Sequence, residues 1–188
     1  MKNRGFTLVE LTTGMGILAA VLMGSATLLM TGMRSFQKTT TDVDMTNQNS
    51  NTMRRISDTL RQAMNVSISN SGKTITFNLP KMGAIDPVTG ESELKEPLQS
   101  DGVTRAFVVN FDNGKLVELP SGRVLMNTIS PTDPQVGSSQ FNQAYTPFQL
   151  TSIGSYRAVT INLITKKNVI TDQRYMRMKT TAVVRNSQ

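Results

Sequence analysis

The side chains that carry most enzyme chemistry are missing from this sequence. Its 188 residues include no Cys and no His. That excludes thiolate nucleophiles, disulfides, iron–sulfur clusters, Cys-based zinc sites, the Ser-His-Asp triad and the H-E-x-x-H zinc site. Carboxylate, lysine or tyrosine chemistry remains, and a few local patterns hint at it. Ser71-Gly72-Lys73-Thr74 ends like a phosphate-binding loop. Position 67, where that loop needs its first glycine, is Ser67, and the stretch opens a strand where a helix is required. Gly14-x-Gly16-x-x-Ala19 spells a dinucleotide fingerprint, but no strand precedes it and no βαβ pattern surrounds it. Asp86, Glu91, Glu93, Glu96 and Asp101 concentrate acid in one stretch. Their spacing is not that of a calcium loop, and Lys81 and Lys95 are interspersed. A Ser–Lys nucleophile has the residue types it needs and no motif. The expectation is a non-catalytic chain with no catalytic residue, no metal and no cofactor.

A basic cluster at the other end is a binding candidate. The 33 residues from Tyr156 hold seven cations (Arg157, Lys166, Lys167, Arg174, Arg177, Lys179, Arg185) against one acid, Asp172. Gathered on one face, Lys166, Lys167, Arg174, Arg177 and Lys179 would meet an anionic surface or nucleic-acid phosphates. The plainer reading, which we favour, is a cationic strand edge that resists aggregation. Tyr156 and Tyr175 are the only aromatics there, so base-stacking platforms are scarce.

The strongest pattern lies at the start. Lys2 and Arg4 sit in a five-residue polar leader, and residues 6–33 then form an apolar run whose single charge is Glu10. A bilayer core about 30 Å thick needs about 20 apolar helical residues, so this run is long enough to span. A cleaved signal peptide with its site near Gly24-Ser25-Ala26 would have a shorter apolar stretch. A plain anchor leaves Glu10 unexplained, since an acid at the centre of a spanning helix costs roughly 2.5–3.5 kcal/mol on insertion scales. Gly16, Ala20 and Gly24 recur every four residues, a small-residue face that lets helices approach closely. Two basic residues precede the run (Lys2, Arg4) and two follow it (Arg34, Lys38), so loop charge alone does not orient it.

Gly5-Phe6-Thr7-Leu8-Val9-Glu10-Leu11 closely resembles the class III signal of type IV pilins and pseudopilins. The resemblance implies removal of residues 1–5 by a prepilin peptidase cutting between Gly5 and Phe6, and N-methylation of Phe6. It implies a single-pass protein of the inner membrane with its N-terminus inside and its head outside the cytoplasm. The protein is then drawn into a filament in the periplasm or at the cell surface by an inner-membrane assembly platform. Its partners would be other pilin or pseudopilin subunits. Glu10 lies one helical turn beyond the new amine at Phe6. In a bundle of staggered subunits, its carboxylate would meet the amine of a neighbour, two buried charges that offset each other only in register. Major pilins usually carry a proline about two-thirds of the way along the apolar half. The matching residue here is Thr27, which favours a minor pilin or pseudopilin over the alternative of a major pilin. The closing Thr181-Ala182-Val183-Val184-Arg185-Asn186 is similar to the final strand of the minor-pilin and J-type pseudopilin branch. A second alternative is a pilus-tip module that contacts DNA or a surface through the basic C-terminal region.

Beyond residue 33 the helical pattern becomes one-sided. Met53, Ile56, Leu60 and Met64 form a stripe, with Arg54, Arg55, Asp58 and Arg61 off it. The spacing predicts one helix over residues 6–65, with 6–33 in membrane or filament core and 34–65 packed on a sheet. Residues 37–52, rich in Thr and Asn, are its expected point of fraying. From residue 66 the period changes to two. Strands are expected at 66–69, 73–79, 104–111, 115–119, 123–127, 156–165 and 174–184, with hairpin turns at Asn70-Ser71-Gly72 and Asp112-Asn113-Gly114. Residues 81–103 and 128–147 lack strand character and read as long loops. The fold class expected is therefore α+β, one long N-terminal helix on a mainly antiparallel sheet forming a head over residues 66–188.

Overall fold

Why one segment becomes a 55-residue helix is answered at its two ends. In a computed structural model of the chain, which describes residues 7–85, 92–94, 99–134, 143–153, 156–169 and 172–184, helix α1 runs Leu8–Gln62. No proline interrupts it. Thr7 starts it, and the chain leaves it at Ala63, whose amide still bonds the Leu60 carbonyl at 3.2 Å. Asn65 then turns to φ +51° inside the first strand. The helix thus ends three residues before the expected 65: Met64 is buried, as its place in the stripe requires, but from a strand.

Residues 1–43 and 44–188 form two separate units. In the first, the large apolar side chains from Leu8 to Met33 are 58% to 80% exposed. In the second, Met45, Asn49, Thr52, Met53, Ile56, Ser57 and Leu60 are buried at helical steps of three and four. The stretch expected to fray, residues 37–52, is helical throughout, and the polar half of that stripe ties down its second part, residues 45–52. Asn49 donates to the Thr165 hydroxyl at 2.9 Å and Thr52 to the Leu125 carbonyl at 3.2 Å. Burying Ile56 or Leu60 is worth roughly 1.5–3 kcal/mol each, more than the fraction of a kcal/mol by which a Thr or Asn trails Ala in a helix. Tertiary packing wins over local propensity.

The strands are β1 (Met64–Ser69), β2 (Thr74–Asn78), β3 (Met82–Ile85), β4 (Ser92–Leu94), β5 (Arg105–Asn110), β6 (Lys115–Leu119), β7 (Arg123–Met126), β8 (Thr132–Asp133), β9 (Gln143–Ala144), β10 (Phe148–Ile153), β11 (Tyr156–Val169) and β12 (Asp172–Val184). All pairings among the described residues are antiparallel. The expected single sheet is divided: β1-β2-β5-β6-β7 form one sheet, β10-β11-β12 another, and β3-β4 and β8-β9 are separate pairs. The two stretches read as loops therefore contain short hairpins. Strands of two to four residues are too brief for a period-two pattern to register.

One core joins α1 to both larger sheets. Ile75, Phe77, Phe107, Val109, Leu116 and Met126 come from the first sheet and Phe148, Val159, Ile161 and Leu163 from the second, packed with Met53, Ile56 and Leu60. Two hairpin tips lock the sheets together. Gly72, at φ +80°, has no room for a Cβ, which would lie 2.2 Å from Thr146 Cγ2 and 2.7 Å from the Phe148 carbonyl oxygen. Gly114 accepts the Ile129 amide at 2.8 Å, and Ile129 bridges to Thr165. The edge of β11 opposite β12 is thus shared. β10 takes residues 156–161, and residues 128–130 take 164–166.

Candidate functional site

The N-terminus of α1 is built by two side chains. Thr7 donates its amide and its hydroxyl to Glu10 Oε2, both at 2.9 Å, and its hydroxyl accepts the Glu10 amide at 3.3 Å. This is a capping box, with Thr7 at the cap and Glu10 at the third helical position, satisfying amides that a helix start leaves without partners. Glu10 Oε1 takes no hydrogen bond among the described residues. A carboxylate has about four acceptor positions, so Glu10 can cap its own helix and still receive a donor from outside. The threonine hydroxyls beyond it turn inward along the helix: Thr12 and Thr13 to the Val9 carbonyl, Thr27 to Met23 and Thr31 to Thr27, at 2.7–3.0 Å. Polar groups satisfied in this way suit a surface without water.

Gly16, Ala20 and Gly24 lie exposed on α1, with open space where a Cβ at Gly16 or Gly24 would sit. This helix is long and apolar enough to cross a membrane. Gly5 and Phe6, the expected processing residues, lie outside the described residues, as do Lys2 and Arg4.

The basic cluster does not gather on one face. Register pairs Lys166 with Tyr175 and Lys167 with Arg174, and successive residues on a strand point to opposite sides. Lys166, Arg177 and Lys179 therefore share one side of the sheet, while Lys167 and Arg174 share the other, the side of Thr165 and Asn49. Acids and rings take up part of the charge. Arg177 pairs with Asp133, Lys167 lies 3.8 Å from Asp44, and Lys166 stands 5.7 Å from the Tyr175 ring centroid. This corrects the picture of a common anion-binding face, because period two splits neighbouring cations. Arg185 lies outside the described residues.

The remaining patterns resolve into structure. Ser71 and Gly72 lie in a single 3-10 turn (Asn70–Gly72) that leads through Lys73 into β2, so a strand stands where a phosphate-binding loop needs an α-helix. Of the acidic stretch, Asp86, Glu91 and Glu96 lie outside the described residues, as does the side chain of Glu93. Asp101 bonds Arg105 at 2.6 Å and the Val103 amide at 3.1 Å. Burial pushes its carboxyl up, but these bonds outweigh that and hold it below its ordinary value.

Sequence reasoning passed over two residues. Thr7 had a readable signal, Thr-x-x-Glu at the head of an apolar run. Tyr145 had none. Its hydroxyl donates to the Ser130 carbonyl at 2.9 Å and accepts the Ile164 amide at 3.3 Å, at the point where β11 passes from β10 to residues 128–130. Burial pushes its phenol up to about 12, against the smaller opposing effect of the Ile164 amide.

One long N-terminal apolar helix with antiparallel sheets is a pilin-like architecture. Comparison of the chain with protein-family models, curated proteins and solved structures finds no match.

Proposed function

We propose that this chain is a non-catalytic structural subunit, a minor pilin or pseudopilin, of a type IV pilus or type II secretion-like filament. The observation that carries this reading is Glu10: the single charge of residues 6–33, one turn from the expected mature terminus, with one carboxylate oxygen uncommitted. Around it α1 leaves its apolar side chains uncovered, as a segment destined for membrane and then for a bundle requires. In this reading residues 1–5 are removed by a prepilin peptidase, Phe6 is methylated, and the inner-membrane assembly platform moves the subunit out of the lipid. Glu10 then takes the terminal amine of a neighbouring subunit. Thr27, whose hydroxyl bonds within the helix in place of a proline kink, favours the minor or pseudopilin branch over a major pilin.

The test is an N-terminal peptide mass of the protein from its native membrane, together with the fate of Glu10→Ala. A chain beginning at methylated Phe6, and a variant that stays in the membrane but no longer enters filaments, are the expected results. A chain beginning at Met1 in a peptidase-competent host, or after Ala26, overturns the reading.

A further inference from the structure

We infer that the outer edge of β12 is a docking edge for an extended acidic segment of another polypeptide, which adds a fourth strand and sets a carboxylate on Arg174. The inference goes beyond the filament reading and does not depend on it.

The edges of this fold are not alike. β1 carries a register shift between Met64 and Ser67, and the pairing of β7 shifts between Leu116 and Val117. Such irregularities blunt an edge against further pairing. β12 has neither. It pairs with β11 over thirteen consecutive positions without a shift, it contains no Gly or Pro, and no strand lies on its other side among the described residues. A long, regular, open edge presents a row of backbone donors and acceptors ready for another strand.

The side chains along that edge select the partner. Arg174 stands directly opposite Lys167, a like-charge cross-strand pair that is unfavourable on its own. Asp44 relieves Lys167, but no carboxylate reaches Arg174 among the described residues, and its Nε is buried without an acceptor. A buried donor without a partner calls for an explanation. On the opposite side, Arg177 already holds Asp133, while Lys179 has no ion pair among the described residues. Parallel, in-register pairing with the β12 of a second copy would set Arg174, Arg177 and Lys179 each beside its equivalent, and antiparallel pairing centred on Arg177 would set that residue against itself, so like charges oppose these self-pairings. An incoming strand with two acids five residues apart sets one beside Lys179 on one side of the sheet and the other beside Arg174 on the opposite side. It supplies the acceptor that Arg174 Nε lacks.

The test uses the full chain in a nonionic detergent. The probe is a fluorescein-labelled threonine-rich peptide as long as β12 with two glutamates five residues apart, so that one faces each side of the added strand, and its control carries lysine for glutamate. The glutamate peptide is expected to bind, to slow hydrogen exchange at backbone amides between residues 174 and 183, and to weaken with added salt; the lysine peptide is expected not to bind. Arg174→Gln should weaken binding roughly 10-fold to 100-fold, the worth of a hydrogen bond to a charged group. Arg123→Gln, on β7, should leave it unchanged. If Arg174→Gln disturbs exchange in the core, Lys179→Gln is the deciding variant, with a loss of at least severalfold expected. Equal binding of the two peptides, unchanged exchange along β12, or full affinity in both variants overturns the inference. It is also overturned if the chain self-associates through these amides without peptide. Displacement of the peptide by a single-stranded oligonucleotide that slows the same amides would assign the edge to nucleic acid instead.

Discussion

Removing one oxygen from Tyr145 tests how the two sheets are held together. Its hydroxyl bridges the Ser130 carbonyl and the Ile164 amide, which stand where two partners of β11 meet. Tyr145→Phe keeps the ring, and with it the contact to Phe111 at 5.4 Å between centroids. It leaves an amide and a carbonyl in a largely buried position without that partner. An unsatisfied buried polar group costs about 1–3 kcal/mol. Ser130 still donates its own amide to the Ile164 carbonyl at 2.7 Å, so the segment stays attached and the loss should fall near the middle of that range. We expect a loss of about 2 kcal/mol and a Tm lower by about 4–8 °C for a chain of this size. Tyr175→Phe is the control, because its hydroxyl reaches only the exposed Gln173 side chain at 2.8 Å, and its effect should stay within about 0.5 kcal/mol.

The same phenol predicts an alkaline signature. Burial raises the Tyr145 pKa to about 12, whereas an unfolded tyrosine titrates near 10. Between those values the unfolded chain has released a proton that the folded chain keeps. The contribution is therefore complete below pH 10 and is lost as pH rises towards 12, at about 1.4 kcal/mol per pH unit and about 3 kcal/mol in all. Urea unfolding of the full chain in detergent, followed by near-ultraviolet circular dichroism from pH 8 to pH 11 or so, reads this slope. Tyr145→Phe should flatten it relative to wild type. A variant as stable as wild type, or one with the same alkaline slope, would refute the account of Tyr145 as the bridge.

Gly72→Ala should cost about 2–4 kcal/mol, since it adds a collision with Thr146 and the Phe148 carbonyl to the strain of φ +80°. Gly122→Ala, at φ +68° with open space around it, should cost only about 1 kcal/mol, and thermal unfolding of the pair separates conformational strain from collision. Asp101 is held below its ordinary pKa with the Arg105 bond among the causes, so its contribution is present above pH 4 and disappears as pH falls through the lowered value. Asp101→Asn should therefore remove part of the acid dependence of unfolding while leaving the slope of stability against pH unaltered above about pH 5. Thr7→Val removes the helix cap and should cost about 1 kcal/mol of helix stability, read as faster hydrogen exchange in the first turn of α1 in micelles.

The sequence was most legible where the deciding contacts are local. Met53, Ile56 and Leu60 mark a buried helix face by spacing alone, and all three are buried. Asp112-Asn113-Gly114 marks a hairpin, and β5 and β6 flank it as expected, with Gly114 at φ +64°. What escaped depends on contacts distant in sequence. The joining of the two sheets turns on Ile129 meeting Thr165 and on the tip at Gly72 meeting Thr146 and Phe148. No window of residues reports such meetings. β10 alternates apolar and polar residues only over Phe148 to Thr151, and it follows Pro147 at the end of a stretch read as loop, which hid it. At the candidate site the types and spacing of Gly16, Ala20 and Gly24 were readable. The burial of Arg174 Nε was not, because it depends on a strand register that only folding sets.

Helix α1 shows how one element answers to two surroundings. From Leu8 to Met33 apolar residues occur on every side, the pattern of a helix covered all round or immersed in lipid. From Met45 onward they keep to one stripe, and the residues beside it are Arg54, Arg55, Asp58 and Arg61. The helical geometry is the same in both parts; what differs is the source of the covering surface. For the stripe, the chain's own sheets supply it, and Arg55 secures the contact by bonding Glu118 at 2.8 Å. In the first part the large apolar side chains are exposed among the described residues. A continuous apolar surface of that kind is too large to leave in water and calls for a cover such as lipid or other helices. Lipid is indifferent to which side of the helix it touches, and Glu10 is not. A lone carboxylate with one oxygen still free marks one side and one height on an otherwise apolar rod. In the function proposed above, that mark is what a neighbour docking in a defined register would read.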